Sequence, residues 1–150
     1  MAVQDTYSEN MRAGVPGQIV GTIPKTLLSR TVEAAGGIGL GVPAARGAAD
    51  KSCRPFAAGD TVAPFIGITV LERSLQAEAN AFKQYDSVRV MTKGAIWVTA
   101  SVVVGAGDPV YVVPASGLFT NASAGNVQVP NAVFDTSTTA VNQIAQVRLG

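Results

Sequence analysis

The chain changes texture near its middle. From residue 64 onward, apolar positions recur with the two-residue period of β-strands, and before it they follow no clean period. The clearest stretch runs from Asp86 to Val104. Val88 and Val90 alternate with Arg89 and Met91, and Thr92-Lys93-Gly94 reads as a turn, because glycine accepts positive φ. Beyond it, Ile96, Val98, Ala100, Val102 and Val104 fall on one face, with Ala95, Trp97, Thr99, Ser101 and Val103 on the other. This pattern predicts a hairpin whose second strand is half-buried, with the isoleucine–valine face inward.

The same half of the chain predicts further short strands. Pro64–Glu72 is rich in β-branched residues, and Val110–Val113, Leu118–Thr120 and Val127–Phe134 follow between turn signals. Pro130 marks a bulge or an edge. Ile144–Leu149 closes the set, with Ala145, Val147 and Leu149 toward the core. Within Arg73–Phe82, Leu75, Ala79 and Phe82 have helical spacing without caps, which suits either a helix or an excursion loop.

Residues 1–22 read as an extended arm, because Gly14, Pro16, Gly17 and Gly21 favour a bending, unpaired path. Within and after it, Gln18–Gly21 and Lys25–Val32 predict short strands. Residues 34–63 read as a long irregular segment containing a glycine- and alanine-rich run, and residues 23–150 as a single β domain. The expected fold is therefore all-β. It is a small antiparallel barrel or sandwich, jelly-roll or β-tulip-like, with an N-terminal arm and long Gly/Ala-rich loops.

Composition narrows the function. Charged residues make up 14% of the chain, against about 25% in an ordinary soluble domain. A surface so poor in charge suggests that partners cover much of it. The net charge is +1 with no basic run, so nucleic acid is not an expected partner. No apolar run approaches membrane-spanning length. The segment MAVQDTYSEN lacks the basic-then-apolar layout of a signal peptide.

Candidate chemistry is sparse. Histidine is absent, and Cys53 is the only cysteine, which leaves no intrachain disulfide and no cysteine-based zinc site. Cys53 reads as buried filler. Gly39–Ala44 fits G-x-G-x-x-A, but no strand precedes it, and Pro43 and Gly47 spoil the helix that a dinucleotide site requires. Glu72 with Glu78, or Asp60 with Asp86, are the carboxylates that folding could pair, yet their spacing does not require it. Neither an enzyme nor a cofactor is expected. Trp97 lies opposite the core face and needs a cover from the arm, a second sheet or another subunit.

Several segments together resemble the tailed-phage structural cement proteins. They are Gly14-Val15-Pro16-Gly17-Gln18-Ile19-Val20, Phe65-Ile66-Gly67-Ile68, Asp86–Val90 followed by Gly94–Val98, and Gly107-Asp108-Pro109-Val110-Tyr111-Val112. Their order over residues 14–149 carries the resemblance, since each motif alone occurs in many β proteins. The resemblance implies a protein made in the bacterial host cytoplasm and placed on the exterior of a virion capsid. There it would act as a homodimer or homotrimer that bridges major capsid protein subunits. Contacts to the capsid or a neighbouring subunit are expected from Tyr7, Met11, Arg12, Gln18, Ile19 and Trp97. Three other readings compete: a tail or fibre component, a trimeric β-fold nucleotide hydrolase and an OB-type nucleic-acid barrel. The hydrolase would need phosphate- and base-binding motifs that are not found. The barrel would need surface aromatics interleaved with basic residues.

Overall fold

In the computed structural model, residues 13–72 and 81–150 are described. All their regular structure is β-strand. The strands are β1 (Thr26–Val32), β2 (Ile38–Gly39), β3 (Pro43–Arg46), β4 (Ser52–Pro55), β5 (Phe65–Thr69), β6 (Ala81–Phe82), β7 (Ser87–Ala100), β8 (Pro109–Val113), β9 (Leu118–Thr120), β10 (Val127–Phe134) and β11 (Gln143–Leu149). Nine form one sheet in the order β1-β4-β3-β5-β7-β11-β10-β8-β9, and β2 with β6 forms a small separate ladder.

The large sheet closes on itself twice through β7, which pairs additionally with β1 and with β9. The first half of β7 joins one ring, through Leu28↔Val90 and Arg30↔Val88 on β1 and Ile68↔Met91 on β5. The second half joins the other ring, through Ala145↔Val98 and Val147↔Ile96 on β11, and meets β9 at Ala100↔Phe119. Closure of this kind removes most exposed strand edges.

The hairpin expected at Thr92-Lys93-Gly94 does not form. Ser87–Ala100 is one strand of 14 residues. Lys93 still pairs with Thr26 of β1, while Gly94 pairs with Leu149 of β11, so the glycine is where β7 changes partners. Its φ of 124° bends the strand without reversing it. A Cβ there would lie 2.9 Å from the Lys25 side chain. The strand also ends at Ala100 rather than Val104, and Val103 is exposed.

The core follows the period-two reading. Ile96, Val98, Ala100, Ala145, Val147 and Leu149 are buried together with Val110, Val112, Phe119 and Phe134. A second cluster gathers Val32, Ile38, Ala44, Cys53, Phe82, Val88 and Val90. Residues 34–63, expected to be irregular, supply β2, β3 and β4. Ala44 and Ala45 are fully buried there, because a close-packed β3 requires small side chains. Around Pro130 the pairing of β10 with β8 shifts register between Gln128 and Val133, which fits the first of the two expectations, a bulge or an edge. The helix-or-loop alternative for Arg73–Phe82 lies mostly outside the described residues, and its last two residues form β6.

Candidate functional site

Tryptophan 97 finds its cover within its own chain. Residues 14–20 run along β7 beside it. Gly17 N–H donates to the Trp97 carbonyl at 2.8 Å, Trp97 N–H donates to the Gln18 carbonyl at 3.0 Å, and Val20 N–H donates to the Ala95 carbonyl at 2.9 Å. The strand expected at Gln18–Gly21 reduces to a single bridge, Ile19↔Ile96. On the other flank, Leu71 N–H donates to the Gly17 carbonyl at 2.8 Å, so the segment is tied down on both sides. Val20, Ala95 and Trp97 then form a small buried cluster with Ile144 packed against it, and Trp97 is 7% exposed.

Backbone contact this close excludes side chains. A Cβ on Gly17 would sit 2.9 Å from the amide nitrogens of Gly41 and Leu71, and one on Gly14 only 2.5 Å from the indole ring of Trp97. The Gly-Val-Pro-Gly run therefore encodes a seat as much as a flexible path, and only the second property is legible from the residues themselves. Of the expected contact residues, Gln18 is exposed, with its side-chain oxygen accepting from Val15 N–H at 3.1 Å. Ile19 is half-buried against the main core. Tyr7, Met11 and Arg12 lie outside the described residues.

Arg54, Asp60, Glu33 and Asp108 serve as structural staples. Arg54 holds Asp60 in a two-pronged pair at 2.7 and 2.9 Å, and Asp60 also accepts from Ala57 N–H. The guanidinium bonds keep the Asp60 carboxyl below the usual carboxylate range. Glu33 accepts from the Ser52 hydroxyl and from Ala48 N–H, which lowers its pKa in the same way. Asp108 accepts from Asn121 Nδ2 and from Gly105 N–H, closes the turn before β8, and is likewise lowered. Burial pushes the Cys53 thiol up to about 11, as suits an inert core residue.

The candidate constellations that fall wholly within the described residues do not assemble either. Asp60 is committed to Arg54 and Asp86 caps Lys83 N–H, so the two acids serve different turns. Glu72 pairs with Arg89 at 2.7 Å, and Glu78 lies outside the described residues. Gly39–Ala44 links β2 to β3 without a helix, which rules out the dinucleotide geometry for that motif. Among the described residues, no group of three or more His, Cys, Asp or Glu side chains converges on a metal-sized site.

What remains is a closed β framework with an N-terminal segment laid along its central strand. Residues 3–150 match the family described as structural cement protein (E217 gp24/Pam3 gp6). The chain belongs to that family. It is thus a capsid-stabilising structural protein of a bacteriophage, located in the virion capsid and associated with capsid proteins. Among solved structures, a chain from the capsid of Myoviridae phage XM1 has the same fold, with a TM-score of 0.76 at 20% identity. The alignment covers 100% of this chain and 98% of that one. No curated protein matches in sequence. In this cement protein, Gly17 and Gln18, from the first of the segments that carried the resemblance, are bonded to the Trp97 backbone.

Proposed function

We propose that this cement protein binds the outer face of the head and bridges neighbouring major capsid protein subunits, without catalysing a reaction. The observation that carries the reading is the family match over residues 3–150, read together with a fold in which Glu33, Asp60 and Asp108 are bonded into loops and turns. DNA packed inside a head pushes outward on a thin shell, and a rigid clamp across a subunit seam adds buried area where that shell is weakest. A doubly closed sheet suits the task, because it transmits load without offering long free edges. Self-association as a dimer or trimer multiplies the contacts of each clamp, so modest individual contacts accumulate.

The arm takes the attachment role in this reading. Residues 14–20 are committed to β7, and the attachment role is assigned to the residues before Gly14, since an extended segment laid across a neighbour adds main-chain hydrogen bonds. The deciding experiment is electron microscopy of purified particles, paired with heating of heads with and without the protein. The chain is expected on the outer surface, straddling capsid subunits, with decorated heads bursting at a higher temperature. A position on the tail or inside the head, or identical bursting temperatures, would overturn the proposal.

A further inference from the structure

Tyr85 occupies an unusual backbone position. Ten glycines have positive φ, and three other described residues do as well: Asn131, Asn142 and Tyr85. Asparagine tolerates the left-handed region because its short side chain bonds locally, whereas a bulky aromatic does not belong there. Tyr85 has φ 70° and is 77% exposed. Every other described aromatic is buried or half-buried. The sequence therefore places its one exposed described ring where the backbone least favours it.

The conformation is imposed by neighbours and not by the ring. Lys83 N–H donates to Asp86 Oδ2 at 2.8 Å and Asp86 N–H returns to the Lys83 carbonyl at 3.1 Å, closing the turn between β6 and β7. Tyr85 N–H donates to the Val32 carbonyl at 2.7 Å, and the Gln84 side chain donates to the Glu33 carbonyl at 2.9 Å. The turn is thus pinned to the end of β1, while the phenol makes no hydrogen bond among the described residues. A rigid tip carrying an exposed aromatic has lost its ordering entropy before any partner arrives, which is what an interface anchor requires. Retained strain at an exposed site points to function.

We propose that Tyr85 is an anchor for the major capsid protein, its ring entering an apolar pocket on a shell subunit. The inference rests on the capsid-bridging reading above. A capsid protein is chosen over a second copy of this chain because association with capsid proteins is what family membership establishes.

The test uses full-length wild type, Tyr85→Gly, Tyr85→Asn and Tyr85→Phe. It measures the melting temperature, sedimentation of the free protein and affinity for undecorated heads of the same phage. Glycine and asparagine relieve the backbone, so both variants should melt at or above the wild-type temperature yet bind heads at least tenfold more weakly. Phenylalanine should stay within about threefold of wild type, since it keeps the ring. Wild-type affinity in the glycine and asparagine variants overturns the anchor, as does a lowered melting temperature with unchanged affinity of the folded fraction. A smaller oligomer in sedimentation assigns the ring to a second copy and overturns the capsid pocket. Failure of wild-type protein to bind heads at all counts instead against the capsid-bridging reading.

Discussion

At the scale of single residues, position on β7 decides what a side chain can be. Val98 is fully buried between β11 and the rest of the main cluster, whereas its neighbour Thr99 is half-buried on the opposite face. Burying an unpaired carboxylate costs several kcal/mol, comparable with the whole stability of a domain. Val98→Asp should therefore abolish the cooperative thermal transition. Thr99→Asp should shift the midpoint by only a few degrees, as followed by circular dichroism. Tolerance of the first with loss of the second would mean a register one residue out. The inward set was legible from alternation alone, because the period of a strand is a local property.

At the scale of elements, the long strand β7 is the organising feature. Alternation predicted both of its halves but not their continuity. A Thr-Lys-Gly sequence suits a turn, and what prevents reversal is the presence of β1 and β5 beside the first half and β11 beside the second. Gly94 absorbs the change of partner. Gly94→Ala forces a Cβ into a positive-φ position close to Lys25. The expected cost is at least about 1 kcal/mol, roughly 2–4 °C in melting temperature for a chain of this size. An unchanged midpoint in a calorimetric scan would show that the bend does not need glycine.

At the scale of the whole molecule, the N-terminal segment divides at Gly14. The part from Gly14 to Val20 covers Trp97, and the part before it is assigned to attachment. Trp97 is the single tryptophan of the chain, so its fluorescence reports the seat directly. Deleting residues 2–13 should leave the emission maximum and melting temperature unchanged while weakening binding to undecorated heads. Extending the deletion through Val20 should shift the emission to the red and lower the melting temperature, since an indole and its cluster become wet. A red shift from the shorter deletion would place the cover of Trp97 upstream of Gly14. Unchanged head affinity after the shorter deletion would remove the attachment role from the residues before Gly14.

The sequence by itself determined the all-β class, most strand positions from β5 onward, an interruption of regular pairing at Pro130 and the inward faces of β7 and β11. These are set by period, propensity and turn chemistry within a few residues. The order of family motifs carried the functional class as well. Tertiary structure alone decided that β7 runs unbroken through Gly94, that residues 34–63 supply three strands, and that residues 14–20 cover Trp97. In each case the deciding contact joins residues far apart in the chain, such as Thr26 with Lys93, Ala44 with Gly67, or Gly17 with Trp97. Small residues like Ala44 and Gly17 give little local signal, because their role is to let another backbone approach, and nothing in their own neighbourhood says which backbone that is. The same holds for Tyr85: its sequence context is an ordinary polar turn, and only the pinning of that turn to Val32 and Glu33 puts the ring in a left-handed, exposed position.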